Sequence, residues 1–372
     1  MPTLLCISTA GGGQDPLRVR RLTADLDADC TYHNLDRSQS RWQNARELWS
    51  LLTDRSWDLV YLEGTGIGGG LPLILASALR GQRYIVSSGD PVGGFFRTVH
   101  GPLAGHVFES YERLLYRYST GFIGWTPYLT GAALRMGAPQ GVTVEGAVDL
   151  SIFTPRSDRE RRSLKQAYGL NPDHLVCGVV GSLTWTPRQR YCYGLELVGM
   201  LPYLQRDDVS VLVVGDGDGL RRLRERVPHA MRDRVVFAGR VPEAEVVDAL
   251  NAMDIGFITQ TLDALGRYRL TTKLPEYLGC GLPVAMSPIP GFYDYAQTAG
   301  WALPGYHPSS DDFFRSCAAW LDGLRHEEVA LRRKIAPDLA EKYFSYGVVR
   351  PKFTAFISSL LPSARSSYAY VD

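Results

Sequence analysis

The sequence predicts an α/β protein built from two doubly wound domains. Short apolar runs of strand length alternate with segments of helical period over nearly the whole chain, which is typical of parallel strands joined by crossover helices. The 372 residues exceed what one hydrophobic core usually organises. The periodicity lapses in a charged, proline-containing stretch at 149–165, after which a new series of strand patterns begins. These observations predict two domains of similar architecture.

The elements follow in order along the chain. In the first half the clearest helical periods are 42–52 and 106–118, and the predicted strands are 3–10, 31–35, 58–63, 83–88, 121–126 and 142–147. In the second half the crossover helices include 219–227, 243–253 and 274–279, and the predicted strands are 175–181, 209–215, 235–239, 255–259, 283–286 and 301–303. We expect domains at 1–155 and 156–346. We expect the segment 347–372 to form a helix that crosses back to the first domain, followed by a short tail.

Composition excludes several classes of function. Apolar residues make up 45% and charged residues 21%, with a net charge of +1, so no broad electrostatic surface for nucleic acid is indicated. Basic runs at 18–21, 156–165 and 221–234 have helical spacing and are interpreted as solvated helix faces. The six cysteines and seven histidines show no metal-ligand spacing, so we expect no metal and a reducing compartment. Without a leader or an apolar run of membrane-spanning length, the sequence favours a cytoplasmic protein, with contact to the inner face of a membrane left open.

Two glycine-rich loops follow predicted strands, where open parallel sheets bind their ligands. Gly11, Gly12 and Gly13 lack Cβ atoms, so their backbone N–H groups could approach a phosphate or a sugar, although the same run could be only a tight turn. The segment from Gly215 to Gly219 allows three interpretations: a metal-binding Asp-x-Asp, a nucleotide-facing loop, or a turn. Its three glycines favour the loop.

The most informative segment is 271–284, Thr-Thr-Lys-Leu-Pro-Glu-Tyr-Leu-Gly-Cys-Gly-Leu-Pro-Val. Thr271 and Thr272 can cap a helix whose first N–H groups attract an anion, and Lys273 adds a positive charge at the same end. Glu276 lies nearly one turn further along, where a carboxylate could accept both hydroxyls of a ribose. An ordinary amphipathic helix before a buried strand is the alternative.

At this point the chain resembles the retaining, GT-B-fold glycosyltransferases of the family-four type (glycosyl transferases group 1). The resemblance spans most of residues 140–290 and implies two Rossmann-like domains facing a cleft. The segments that carry it, in the expected order, are 146–155, 181–183 with Arg188 and Arg190, 213–217, 235–241, 250–255 and 273–284.

The resemblance implies a role for each matching residue. Glu276 would hold the donor ribose and Lys273 would neutralise its diphosphate, with a second cation at Arg190 or Arg188. Gly215, Arg240 and Val241 would lie along the donor, and the backbone near Val241 would face the base. In the first domain Gly11 to Gly13 would approach the diphosphate. Asp90 and one of His100 and His106 would lie on the sugar or acceptor side, although both histidines could equally be ordinary surface or helix residues.

Two positions depart from the family pattern. Ser182 stands where Arg is common, and Tyr268 stands where the first of two paired glutamates is expected. The missing carboxylate would have bound hydroxyls of the transferred sugar. The departures therefore motivate a noncatalytic nucleotide-sugar-binding protein as one alternative.

The expected reaction moves a sugar from a nucleotide-diphosphate donor to an acceptor hydroxyl with retention of anomeric configuration and without a metal or cofactor. Fixed cations would stabilise the departing diphosphate, and a diphosphate oxygen would take the acceptor proton. The acceptor could be a glycan, a lipid-linked molecule or a small molecule. An epimerase of the same architecture is a second alternative. A dehydrogenase is disfavoured, since the first strand lacks the spaced glycines of a dinucleotide site.

Overall fold

The computed structural model describes residues 1–9 and 14–362. These residues divide into two compact units. Unit 1 contains Met1–Phe96, Leu103–Gly146 and the helix that begins at Tyr346, and unit 2 contains Arg97–Pro102 and Ala147–Ser345. Gly11, Gly12 and Gly13, which the sequence places in a ligand-binding loop, lie outside the described residues.

Unit 1 is built on a parallel sheet of six strands in the order β2-β1-β3-β4-β5-β6. Strands β1, β3, β4 and β5 are almost entirely buried, which is why they read in the sequence as short continuous apolar runs. The elements are β1 (Thr3–Ser8), α1 (Gln14–Thr23), β2 (Asp29–Asn34), α2 (Arg41–Asp54), β3 (Leu59–Glu63), α3 (Ile67–Arg80), β4 (Tyr84–Ser88), α4 (Val92–His100), α5 (Pro102–Arg117), β5 (Gly121–Gly124), α6 (Pro127–Arg135) and β6 (Gly141–Thr143).

Unit 2 contains a second parallel sheet of six strands, in the order β12-β11-β10-β7-β8-β9. Strands β8 and β9 are added on one side of β7, and the chain then crosses to the other side of β7, where β10, β11 and β12 are added. The strand order therefore reverses between β7 and β10. The elements are α7 (Asp158–Ala167), β7 (Leu175–Val180), α8 (Leu195–Met200), β8 (Val209–Val214), α9 (Leu220–Arg226), β9 (Val235–Gly239), α10 (Val246–Ala252), β10 (Ile255–Ile258), α11 (Lys273–Gly279), β11 (Val284–Met286), α12 (Pro290–Tyr295), β12 (Gly300–Ala302), α13 (Asp311–Asp322) and α14 (His326–Phe344).

The last described helix, α15 (Tyr346–Leu360), belongs to unit 1. Its buried Phe353 lies against Tyr61 of β3, with ring centroids 5.1 Å apart. Arg350 and Lys352 form ion pairs of 2.8 Å with Asp25 and Glu145. Apolar burial and these ion pairs together hold the C-terminal helix on the sheet of unit 1.

The sequence-based boundary at 155 lies inside unit 2. The Val148 N–H donates to the Phe344 carbonyl (2.9 Å), and Phe153 is buried in the core of unit 2. The short segment Arg97–Pro102 also belongs to unit 2, and within it the Thr98 hydroxyl donates to the Asp263 carboxylate at 3.1 Å.

In two of the basic runs, the interpretation as a solvated helix face is wrong for Arg18, Arg161 and Lys165. Arg18 is buried and donates to the carbonyls of Val144 and Glu145 at 3.0 and 2.8 Å. Arg161 and Lys165 of α7 are buried on either side of the Asp254 carboxylate, with Lys165 Nζ 2.7 Å from Oδ2. The acceptors of these cations lie far away in the sequence, so the local charge pattern does not reveal that the cations are buried.

Within the described ranges, no helix combines the length and apolar character needed to cross a bilayer.

Candidate functional site

The candidate site lies in unit 2, at the carboxyl ends of β7 and β10. Parallel sheets bind ligands where the strand order reverses, because the loops after the two central strands run in opposite directions and leave a crevice. The registered pairs between β7 and β10 are only Cys177–Ile255 and Gly178–Gly256. Beyond them the Val180 N–H donates to the hydroxyl of Tyr277, on α11, at 2.8 Å. Helix α11 therefore begins beside this crevice.

Lys273 is the first residue of α11, as the sequence predicted, and its side chain runs along the end of β7. A Cβ atom added to Gly181 would lie 2.9 Å from Cε and 3.2 Å from Nζ of Lys273. The ammonium group lies 3.7 Å from the ring centroid of Tyr193, a cation–π contact. The glycine leaves room for the lysine, and the aromatic ring holds its charge at the crevice.

Tyr193 and Gln260 are site residues that sequence reasoning missed. Gln260 follows β10 and donates from Nε2 to the Tyr193 hydroxyl (3.2 Å), while its own N–H and carbonyl both bond to the Ser287 hydroxyl, at 2.8 and 2.9 Å. Burial alone would raise the pKa of Tyr193, but the charges of Lys273 and Arg269 lower it below its ordinary value. No motif marks these residues, since only the return of the chain at β10 brings them to Lys273.

Glu276 lies one turn after Lys273, and its carboxylate is only partly exposed. Burial raises its pKa to about 7, opposed by the positive charge of Lys273 and increased by Glu243. None of the described residues donates a hydrogen bond to this carboxylate. A half-buried carboxyl group without a donor has a capacity for hydrogen bonding that the folded chain leaves unused.

The predicted capping role of Thr271 and Thr272 is wrong. Thr272 is the N-cap residue but has helical angles (φ −58°, ψ −21°), and its hydroxyl makes no capping bond. Side-chain caps need an extended N-cap residue, which places the hydroxyl over the first N–H groups. The Thr271 hydroxyl is buried and has no hydrogen-bond partner among the described residues. The Thr271 hydroxyl and the Glu276 carboxylate thus both lie near Lys273 without a hydrogen bond from any described residue.

The segment after β8 is a loop that packs on the segment after β7, and its contact with a nucleotide stays a prediction. Gly215 has φ +136°, and a Cβ atom there would lie 1.8 Å from the carbonyl oxygen of Gly181. Asp216 and Asp218 accept hydrogen bonds from backbone N–H groups, of Gly217 at 2.8 Å and of Trp185 at 2.7 Å. Both carboxylates therefore organise the loop, and glycine at 215 is required for the two loops to meet.

The two arginines proposed as a second cation are exposed. Arg190 has φ +51°, a left-handed conformation that no other non-glycine residue adopts in the described chain. Arg188 lies over Gly101, where an added Cβ would come within 2.9 Å of its guanidinium. Ser182 is also exposed, and its hydroxyl is 2.7 Å from that of Thr184. No measured contact joins either arginine to Lys273, so their role stays a prediction.

Arg240 and Val241 follow β9 at the same edge of the sheet. Arg240 is exposed, whereas Val241 is half-buried against the hydrophobic core. Gly239, just before them, has φ +69° and open space where a Cβ would lie. Their placement after a strand agrees with the predicted position, and their contact with a base stays a prediction.

The predicted residues of unit 1 do not form one cluster. Asp90 is half-buried and lines a cavity of about 300 Å³ together with Arg41, Thr65 and Phe96. His106 is exposed on α5 and is not among the residues that line this cavity. His100 is exposed at the end of α4, in a segment that counts with unit 2. The structure leaves the roles of these three residues as predictions.

Sequence reasoning also missed a buried charge network at the end of β3. The Glu63 carboxylate accepts hydrogen bonds from Tyr61, from the Ser87 hydroxyl (2.9 Å) and from the Trp125 indole (3.3 Å). Arg18 lies 3.6 Å from Glu63 and 4.5 Å from the Trp125 ring centroid. Because its acceptors are already bonded within unit 1, Glu63 fixes the end of the strand.

In residues 1–9 and 14–362, no three side chains of His, Cys, Asp or Glu come together in a group that could hold a metal ion.

The second unit is similar in sequence to a known family. Residues 174–322 match the family model of glycosyl transferases group 1. The matched segment contains β7, the Gly215 loop, Lys273 and Glu276. A search of curated protein sequences gives no match.

Solved structures with the same fold cover nearly the whole chain. The Anabaena protein HepE, in complex with UDP and glucose, is 14% identical with a TM-score of 0.73, over 96% of this chain and 100% of that chain. Sucrose-phosphate synthase from Thermosynechococcus elongatus is also 14% identical with a TM-score of 0.73, over 96% and 99%. A UDP-N-acetylglucosamine 2-epimerase assigned by similarity in Listeria monocytogenes is 11% identical with a TM-score of 0.62, over 96% of each chain.

Two six-stranded parallel sheets with these likenesses define the two Rossmann-like domains of the GT-B fold. The chain therefore has the GT-B fold, and residues 174–322 within it match the family model of glycosyl transferases group 1.

Proposed function

We propose that this protein transfers a sugar from a nucleotide-diphosphate donor to an acceptor hydroxyl, with retention of anomeric configuration and without a metal ion. The observation that carries the proposal is the group of Lys273, Glu276 and Thr271 beside the crevice of unit 2. There a fixed cation stands near a buried hydroxyl and a half-buried carboxyl group that make no side-chain hydrogen bond within the described residues. The family match over 174–322 and the UDP complexes of HepE support a nucleotide sugar as the ligand.

Each residue would contribute one interaction. Lys273 would neutralise charge that builds on the departing diphosphate, and its placement before binding means that little reorganisation accompanies the reaction. Glu276 would accept hydrogen bonds from the ribose hydroxyls, which requires its ionised form. The Thr271 hydroxyl would donate to a phosphate oxygen. Arg188 or Arg190 would supply a second positive charge.

The retaining route needs no nucleophile from the protein. The acceptor hydroxyl attacks on the face from which the diphosphate leaves, the bond from the anomeric carbon to the diphosphate oxygen breaks, and a diphosphate oxygen takes the proton of the hydroxyl. The protein's part is to hold the diphosphate and stabilise its charge. On this proposal the cavity beside Asp90 in unit 1 lies on the acceptor side, and the acceptor is a glycan, a lipid-linked molecule or a small molecule.

Two other functions rest on particular observations. Ser182 and Tyr268, at positions where the resemblance leads us to expect Arg and Glu, support a noncatalytic nucleotide-sugar-binding protein. The fold shared with the Listeria 2-epimerase supports an epimerase. A noncatalytic protein would bind a nucleotide sugar without releasing nucleotide. An epimerase would interconvert donor epimers with no acceptor present.

A thermal-shift panel of UDP, GDP, ADP and TDP sugars tests the proposal first, because a ligand of the folded state raises the melting temperature. We expect one nucleotide class to raise it in the wild type and to do so less in the Lys273→Ala and Glu276→Ala variants. The donor found in this way is then incubated with acceptors in the presence of EDTA, and released nucleotide and the anomer of the product are measured. If none of the sugars shifts the melting temperature, the proposal is wrong.

A further inference from the structure

Unit 1 carries a continuous exposed apolar surface on helices α2, α3 and α5. Six of the sixteen large apolar side chains that are exposed in the described chain lie here, and we call them the apolar surface: Trp42, Leu75, Leu79, Leu103, Val107 and Leu114. Trp42 and Leu103 are 79% and 80% exposed. Exposed apolar side chains are ordinary when scattered, but a cluster of this size marks an interaction site.

An open groove of about 680 Å³ joins the three helices. Trp42 and Trp49 of α2, Leu71 and Leu75 of α3, and Leu114 of α5 line it. The hydroxyl of Ser77 in α3 also donates to the carbonyl of Tyr118, just past α5, at 2.9 Å, which ties these helix ends together. The apolar residues of α2, α3 and α5 therefore share one surface.

Helix α5 shows that this surface is not a by-product of core packing. Its buried side carries Glu112, Leu115 and Tyr116, whereas Leu103, Val107 and Leu114 recur at helical spacing on the exposed side. A helix on a protein surface normally places polar residues on that side. Apolar residues on the exposed side of α5, in addition to those on its buried side, indicate that the exposed side contacts a second apolar surface.

The charges around the apolar surface have one predominant sign. The exposed basic residues of these three helices are Arg41, Arg46, Arg80, Arg113 and Arg117, and the exposed acidic residues are Glu47 and Asp54. Glu109 of α5 is half-buried and forms an ion pair of 3.0 Å with Arg113, so positive charge remains in excess after this pairing. Arg46 is the charged residue of the groove lining. Apolar side chains with an exposed tryptophan enter the interfacial region of a bilayer, and arginines around them attract anionic headgroups.

We propose that the apolar surface docks this protein on a lipid bilayer that carries anionic headgroups, with Trp42 and Leu103 inserting at the interface. No residue of the nucleotide-sugar site takes part, so the proposal stands independently of the proposed function.

The test is co-sedimentation of the full chain with vesicles of phosphatidylcholine, with and without phosphatidylglycerol. We expect the wild type to sediment with the anionic vesicles and to be released by high salt. The Trp42→Ser/Leu103→Ser double variant should lower the partition constant at least tenfold. The matched control is Leu331→Ser, at a 61% exposed leucine on α14 of unit 2, which should bind like the wild type. Thermal melts confirm that each variant is folded.

Several results would overturn the proposal. One is a wild type that stays in solution with both kinds of vesicle. Others are a double variant that sediments as well as the wild type, or a Leu331→Ser variant that loses binding to the same extent. Light scattering provides a further test of the proposal. If the wild type dimerises in buffer without lipid and the double variant stays monomeric, the apolar surface binds a second copy of this chain instead of a bilayer.

Discussion

Replacing Glu276 by glutamine tests whether the ionised carboxylate of this residue lowers the free energy of unfolding when no ligand is bound. Burial raises the pKa of Glu276 to about 7 in the folded chain, and an unfolded glutamate titrates at its ordinary value of 4.5. Glutamine keeps the shape of the side chain but cannot ionise. We therefore expect Glu276→Gln to be more stable than the wild type at alkaline pH.

The sign and the size follow from proton linkage. Below pH 4.5 both states of the wild type carry the proton, so the residue contributes nothing. As the pH rises from 4.5 to about 7, the unfolded chain ionises before the folded chain does, and the free energy of unfolding falls. At about 1.4 kcal/mol per pH unit, the full effect is about 3 kcal/mol. Since part of the carboxyl group faces solvent, we expect about 1–3 kcal/mol at pH 8.

The assay is urea denaturation of both proteins at pH 4.5 and pH 8. Glu341→Gln, at an exposed glutamate on α14, is the matched control and should leave the difference between the two pH values unchanged. If Glu276→Gln is no more stable than the wild type at pH 8, or gains equally at both pH values, Glu276 is not a buried carboxyl group of the kind described. If the reasoning holds, excess nucleotide sugar in the same assay should stabilise the wild type more than Glu276→Gln.

Four further predictions concern Lys273, Tyr193, Asp254 and the pH dependence of donor binding. Lys273→Ala should slow turnover about a hundredfold or more in a nucleotide-release assay, which is the usual effect of removing one preorganised charge. Tyr193→Leu should lower kcat/KM about 2- to 30-fold through loss of the cation–π contact with Lys273. Tyr193→Phe keeps the aromatic ring and should retain most of the wild-type kcat/KM. Asp254→Ala should cost about 3–5 kcal/mol in denaturant unfolding, because Lys165 would be left charged and buried. Donor binding measured by calorimetry with a nucleotide sugar should weaken below pH 7 in the wild type but not in Glu276→Gln.

Local periodicity was sufficient to predict most strands. Strands of parallel sheets are buried on both faces, so β8, predicted as 209–215 and found at Val209–Val214, is a plain apolar run. Position along the chain also predicted Lys273 at the start of a helix and the loop after β8. These features depend on residues a few positions apart, which is why a sequence displays them.

The failures involve contacts between distant residues. Arg161 and Lys165 look like a solvated helix face until Asp254, about ninety residues later, lies between them. Burial alone would raise the pKa of that carboxyl group, but the two cations hold it below its ordinary value. The helical angles of Thr272 likewise follow from how α11 enters the sheet, and they remove the cap that its hydroxyl could have made.

By itself the sequence determined the alternation of strands and helices, the number of domains and the resemblance of the second domain to the glycosyl transferases group 1, because each of these depends on patterns of neighbouring residues. Only the tertiary structure decided which polar groups are left without partners. Whether the carboxylate of Glu276 or the hydroxyl of Thr271 finds a donor or acceptor depends on what the returning chain places beside it. Hydrogen bonds act over about 3 Å, and no pattern of residue types measures that distance.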